Sequence, residues 1–354
     1  MTLISPPPFP KTIDDLDSSF LSSGLQKDIS GFESRRIGEE RGMLGEIYEL
    51  ELFFADEAKP PQSIVAKFSA LREEPLRIAK RSGSHERELR CYDELLSTTP
   101  VNVPEFLAAW YDPETAEFLL LQELVEPDAS VDQIAGISLP QARLVIKEMA
   151  KLHAFWWGNP VLETLSWLPR LDSSGRRTNL TTLTRRGWDT LHGLLDREIA
   201  ESIGPNAEHL AGEVDKMLCR TAEYPSTLVH SDLRADNLLF SLDGLSVALI
   251  DWQGCSIAPP AFDFAYFLVQ SLTTSDRQLH EEDLLYFYLQ ELNGNGLAIS
   301  ADDLLEVYQS SLFYNLSIAC AIPLINDISK PRVRELGVVM GSRSIHALRD
   351  HGQI

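Results

Sequence analysis

The chain has 354 residues, 44% of them hydrophobic and 24% charged. That suits one large or two ordinary globular domains with a substantial core, and it excludes a disordered or fibrous chain. Lys and Arg number 31 against 53 Asp and Glu, a net charge of −22. Such a field repels nucleic-acid backbones and anionic lipid, so neither is expected as a partner, while a cationic small molecule or a metal is compatible with it.

Residues 1–33 read as an extension, Pro-rich at its start, with a short polar helix over 14–25. In 46–54, Tyr48, Leu50, Leu52 and Phe54 alternate with Glu49 and Glu51, the pattern of a half-buried strand. A Pro-containing turn leads to a second strand over 63–68, and 84–96 reads as a helix. Two more strands, 106–111 and 118–124, flank a turn at 112–114. Ser138 and Pro140 open a long helix to about residue 157, as cap and first-turn proline. Most of the remainder is helical, broken by a β-hairpin within 227–251. The division is therefore an extension (1–33), a mainly β lobe (34–123) and a mainly helical lobe (124–354), with a cleft between lobes as the natural ligand site.

Four cysteines, Cys91, Cys219, Cys255 and Cys320, stand singly with no C-x-x-C spacing. Neither a disulfide framework nor a zinc site is expected, and a reducing, cytoplasmic compartment fits. The N-terminus lacks the basic and apolar regions of a signal peptide. The most apolar stretch, 312–325, is interrupted by Asn315 and Pro323 and falls short of a membrane span.

The chemistry concentrates in Leu228-Val229-His230-Ser231-Asp232-Leu233-Arg234-Ala235-Asp236-Asn237-Leu238-Leu239-Phe240 and in Leu249-Ile250-Asp251-Trp252-Gln253. Asp243-Gly244 between them is a strong turn signal. Folding the hairpin about that turn brings Asn237 beside Asp251. An amide oxygen and a carboxylate so placed can share a hard cation such as Mg²⁺. Asp232, five residues before Asn237, would address a substrate near that metal.

His-x-Asp-x-x-x-x-Asn followed by a strand-borne Asp resembles the catalytic loop and metal Asp of the protein-kinase-like fold. The fuller wording is more similar to the aminoglycoside phosphotransferase and choline/ecdysteroid kinase-like branch. Ile64-Val65-Ala66-Lys67, Glu88-Leu89-Arg90-Cys91-Tyr92, Leu119-Leu120-Leu121-Gln122-Glu123, Leu152-His153-Ala154-Phe155-Trp156-Trp157 and Phe262-Asp263-Phe264-Ala265-Tyr266 follow in matching order. The resemblance runs from about residue 34 to the C-terminus. It implies an α+β, two-lobed protein-kinase-like fold, with an antiparallel β N-lobe carrying one long helix and a mostly helical C-lobe. It also implies an ATP- and Mg²⁺-dependent phosphotransferase acting on a small alcohol that is aminoglycoside-, choline- or steroid-like. A nucleotide-binding pseudokinase or scaffold is the alternative, against which an intact Asp232 argues.

The resemblance assigns Asp232 to the acceptor hydroxyl, Asn237 and Asp251 to the metal, and Lys67 to the α- and β-phosphates. Arg234 is placed near the transferring phosphate, with a solvated arginine as its bland reading. Glu88 is chosen to pair with Lys67, because it shares a helical stripe with Tyr92 and Leu95, whereas Glu86 faces solvent. Gly42, Met43, Leu44 and Gly45 stand where a phosphate-binding loop would lie, though Gly38-Glu39-Glu40-Arg41-Gly42 departs from G-x-G-x-x-G. Gln122, Glu123 and Leu124 form the interlobe linker, whose backbone would bond the purine. Asp263 is read as pinning the catalytic loop, His230 as a structural histidine, His153 and Trp156 as core, and Asp236 as solvated. Only 252–258 separates Asp251 from Pro259-Pro260, too little chain for a peptide-docking segment. That favours a small substrate, with Trp188, Asp189, Asp196 and Tyr314 as candidate contacts to an amine, each more readily explained as core aromatic or surface acid.

Overall fold

The computed structural model describes residues 4–37, 45–56, 58–70, 73–125, 131–204 and 206–354. The chain forms two compact units, Met1–Pro127 with Ala248–Gly254 and Asp128–Val247 with Cys255–Ile354.

The first unit is built on a six-stranded, mainly antiparallel sheet. Its strands are β1 (Ile4–Ser5), β2 (Ile29–Ile37), β3 (Gly45–Phe54), β4 (Gln62–Ser69), β5 (Phe106–Tyr111) and β6 (Phe118–Glu123), in the order β1-β5-β6-β4-β3-β2. Only β1 runs parallel to its neighbour. Period-two alternation decides which residues reach the core. Leu50 and Leu52 of β3, Ile64, Ala66 and Phe68 of β4, and Leu119 and Leu121 of β6 share one buried cluster. Burying each large side chain contributes about 1.5–3 kcal/mol. Lys67, out of phase with Ala66 and Phe68, is thereby sent to the opposite face.

The segment read as an extension is part of this unit. It supplies β1, helix α1 (Ser18–Leu25) and most of β2, and it places Phe9, Leu16, Leu21 and Ile29 in the same core. The helix read over 84–96 begins as α3 (Ser84–Arg90), and a further helix, α2 (Glu73–Ser82), precedes it. The two are separated at Gly83, whose φ of 65° is open to glycine and strained for most other residues. A π-helical turn, Cys91–Leu95, and a 3-10 turn, Leu96–Thr98, extend α3.

The second unit is mainly helical. Helix α4 (Leu139–Trp156) begins with the expected cap in full: Ser138 Oγ accepts from the Gln141 N–H while Gln141 Oε1 accepts from the Ser138 N–H, and Pro140 occupies the first turn. Helices α5 (Ser174–His192), α6 (Arg197–Ile203) and α7 (Ala207–Thr221) follow. The region read as one hairpin holds short strands β7 (Thr227–Val229), β8 (Leu238–Phe240) and β9 (Val247–Leu249). The turn after β8 is real: Ser241 and Ser246 bond across it and Gly244 has φ 67°. β7, however, pairs antiparallel with β10 (Ser256–Ala258), Val229 opposite Ser256. Helix α8 (Pro260–Ser271) is buried along its whole length. Helices α9 (Thr274–Gly294), α10 (Ala301–Ser310), α11 (Leu312–Ile325) and α12 (Pro331–Asp350) complete the unit. Gly187 of α5 lies so close to α11 that a Cβ there would sit 1.8 Å from the Cys320 carbonyl oxygen. Among the described residues no helix is long and apolar enough to cross a membrane, and all four cysteines are free.

Candidate active site

In the first unit, Lys67 points from β4 to Glu88 on α3. Its Nζ donates to both carboxylate oxygens, at 2.7 and 2.9 Å, and to Asp251 Oδ1 at 3.2 Å. Glu88 is 2% exposed and Lys67 17%, so the pair is shielded from solvent. Burial alone would draw the Lys67 ammonium down, but Asp251 and Glu88 outweigh it and hold the group protonated. Burial pushes the Glu88 carboxyl up against the pull of Lys67. Glu86 faces outward and pairs with Arg90, which agrees with the stripe argument. Asp251 adopts a left-handed backbone, φ 65°, and its Oδ2 accepts from Gln253 Nε2 at 3.3 Å. Arg87, buried beside Glu88 on α3, donates to the Gln253 carbonyl at 2.6 Å and so ties the helix to the segment that follows Asp251.

Gly45 opens β3 opposite Ser69, where a Cβ would lie 2.6 Å from the Phe68 carbonyl oxygen; strand packing alone requires glycine there. Gly42, Met43 and Leu44 lie outside the described residues. Gln122 and Glu123 are the last residues of β6, opposite Val65 and Ile64, and Leu124 follows the strand. The Glu123 N–H already donates to the Glu105 carbonyl at 2.9 Å, so that donor belongs to the sheet rather than to a purine.

In the second unit, the loop from His230 to Asn237 is clamped from several sides. Asp263 on α8 accepts the His230 N–H on one oxygen at 2.6 Å and the Ser231 N–H on the other at 2.8 Å. Fully buried His153 spans Asp263 (3.4 Å) and the Tyr288 hydroxyl (2.6 Å), so it is more than core filling. Tyr314 on α11 donates to the Ser231 carbonyl at 2.8 Å. Ser231 is held at φ 66°, a conformation that persists only where surroundings over-determine it. His230 is buried, and its Nδ1 faces the Asp232 N–H at 3.3 Å, the structural part read for it.

Asp232 itself is a quarter exposed. Its Oδ1 accepts from the Tyr266 hydroxyl at 3.0 Å and from Arg234 Nε at 3.3 Å, and its Oδ2 accepts from Asn237 Nδ2 at 3.0 Å. Asn237 Nδ2 also donates to the Asp232 carbonyl at 2.7 Å. Both of these Asn237 bonds use the amide nitrogen. Arg234 is not solvated: its side chain is 6% exposed and bridges Asp232 to Asp236, the latter at 2.7 Å. Asp236, read as solvated, is correspondingly sheltered. Trp188 is a fully buried core residue and Tyr314 is committed to the loop, while Asp189 and Asp196 lie on the surface; no amine site is assembled from these four.

The second unit thus presents a carboxylate that accepts from the side chains of Tyr266, Arg234 and Asn237, and the first presents a buried ammonium between two carboxylates. The oxygen donors of Asp251 and Asn237 suit a hard, oxygen-preferring cation such as Mg²⁺ and no thiophilic metal. Among the described residues, no group of three or more His, Cys, Asp or Glu is arranged to hold a metal. Sequence reasoning missed His85, Arg87 and Tyr266. Only Tyr266 carried a signal, its spacing of three from Asp263 on one helix face.

Residues 41–299 match the model of the ecdysteroid kinase-like family. No curated protein sequence matches the chain. Among solved structures, a Ralstonia eutropha JMP134 protein provisionally assigned as an aminoglycoside phosphotransferase superposes with a TM-score of 0.57 at 15% identity, over 95% of this chain and 98% of that one. Plasmodium vivax ethanolamine kinase gives a TM-score of 0.57 at 13% identity, over 91% and 81%. The GDP complex of aminoglycoside 2'-phosphotransferase-IIIa gives 0.52 at 16% identity, over 95% and 97%. At these identities the likeness concerns the fold, which is the protein-kinase-like one.

Proposed function

The chain belongs to the ecdysteroid kinase-like family, and from that premise, as a small-molecule kinase, we propose that it moves the γ-phosphoryl group of ATP to a hydroxyl of a small molecule. Lys67, kept charged and oriented by Glu88, is assigned to the α- and β-phosphates. Asp232 orients the acceptor hydroxyl and takes its proton as the oxygen bonds to the γ-phosphorus and the bond to the β–γ bridging oxygen breaks. Arg234 sets a positive charge beside Asp232. Asn237 and Asp251 are the residues that would hold Mg²⁺, which would supply neutralisation of the triphosphate charge. In this mechanism positioning and electrostatics supply most of the rate, as in other phosphoryl transfers.

The observation that carries the reading is the shielded Lys67–Glu88 pair with Asp251 at 3.2 Å, which keeps a permanent cation in place for an anionic ligand. The acceptor class is a small alcohol that is aminoglycoside-, choline- or steroid-like, and the net charge of −22 favours one bearing an amine.

The test is an ATP-consumption screen over hydroxyl- and amine-bearing metabolites, with Asp232→Ala as the control. Turnover on one class, reduced roughly 100-fold or more in the variant with ATP affinity within about twofold, is the expected result. Undiminished turnover in Asp232→Ala refutes the role of Asp232. Bound ATP with silence across the library would instead favour nucleotide binding without transfer.

A further inference from the structure

Helix α8 reaches the Asp232 loop at two points three residues apart. Asp263 holds the backbone, through the N–H groups of His230 and Ser231, and Tyr266 holds the side chain, through its hydroxyl bond to Asp232 Oδ1. Residues three apart lie on one helical face, so a single rigid, wholly buried helix sets both the path of the loop and the plane of the carboxylate.

Tyr266 is 0% exposed, and its ring packs edge-on against Tyr314 at 5.3 Å. Burial and the neighbouring Asp232 push its hydroxyl well above the ordinary phenol value, so it remains a donor. The contact to Oδ1 from Arg234 is longer and comes from a residue shared with Asp236. Asn237 fixes the opposite oxygen. The carboxylate is therefore gripped at both ends, and at Oδ1 the shorter grip is the phenol.

We infer that Tyr266 is a positioning residue for phosphoryl transfer, whose hydroxyl sets the rotation of the Asp232 carboxylate toward the acceptor. The inference rests on the reading of Asp232 given above. An error of about 1 Å in such a group costs up to roughly 100-fold in rate, so a missing phenolic bond acts on turnover and not on nucleotide capture.

The experiment compares wild type, Tyr266→Phe, Asp232→Asn and the double variant in ATP consumption with water as acceptor, alongside a crystal structure of Tyr266→Phe. Phenylalanine keeps the ring and its packing. Expected are a fall in kcat of about 10- to 100-fold with the KM for ATP within about twofold, no further fall when the change is added to Asp232→Asn, and a carboxylate rotated from its wild-type plane. Wild-type turnover, or the same proportional loss in both backgrounds, overturns the inference, because a merely structural role would act without Asp232. An active Asp232→Asn sinks the assignment of Asp232 instead. The crystal structure then judges the grip by itself: an unmoved carboxylate refutes it and a rotated one upholds it.

Discussion

Acidification should destabilise the first unit through one residue, His85. Its Nδ1 bonds the Ala116 carbonyl at 2.7 Å, its ring packs on Phe118 at 4.6 Å, and its Nε2 is buried with no hydrogen-bond partner among the described residues. Burial, with the nearby Lys67 charge, lowers its pKa from 6.5 to about 4 in the folded state, although the Ala116 carbonyl and Asp251 work the other way. Between those values the unfolded chain binds a proton that the folded chain refuses, so stability falls as pH falls. The full effect is roughly 3 kcal/mol, and about 2 kcal/mol of it is lost between about pH 7.5 and pH 5. With an m value of about 2–3 kcal/mol/M, the urea midpoint should drop by roughly 0.7–1 M. Urea titrations followed by tryptophan fluorescence at both pH values measure this. His85→Gln removes the titrating group, so its midpoint should shift less by that amount. Equal shifts in wild type and variant would show that His85 is not the proton-linked group.

Two other perturbations test the packing and the ion pair. Glu88→Gln keeps the shape of the side chain and leaves Lys67 its second partner, Asp251. It should therefore cost about 1–3 kcal/mol by denaturant titration, less than stranding a buried charge altogether, and weaken Mg·ATP binding about tenfold by calorimetry; unaltered affinity would remove Glu88 from the nucleotide side. Gly187→Ala must push α5 off the Cys320 carbonyl and should destabilise by about 3 kcal/mol or more. Gly212→Ala, in α7 with open space around it, should instead stabilise by about 0.5–1 kcal/mol. Thermal melts of the two variants moving in the same direction would contradict the close approach.

What the sequence exposes follows from how local each determinant is. The strands over 46–54 and 63–68 and the Ser138 cap depend on neighbours within a few residues, and they fold as read. Glu88 could be chosen over Glu86 because helical spacing alone separates their faces. The helix over 73–82 carries no comparable signal, because Glu73, Glu74, Arg77, Lys80 and Arg81 leave few apolar positions to show a period. The pairing of β7 with β10 joins segments about thirty residues apart, beyond any turn signal. Asp236 looks solvated because charge is usually exposed; here it and Arg234 shelter each other, a fact of tertiary packing that single-residue propensity does not contain. The Proline-rich start and short helix suggested an appendage, yet Phe9, Leu16 and Leu21 carry enough apolar surface to join the sheet's core.

The left-handed backbone at Ser231 and Asp251 bears on how these positions can be varied at all. Aspartate and asparagine tolerate that region through their short polar side chains, while alanine and, above all, β-branched residues meet a steric penalty of about 1–2 kcal/mol. An alanine at 251 therefore perturbs the main chain as well as deleting a carboxylate, and the two effects cannot be told apart in its phenotype. Asparagine leaves the chain's stereochemistry undisturbed, so its effect is confined to the carboxylate's charge and to the one acceptor oxygen it exchanges for an NH2 donor.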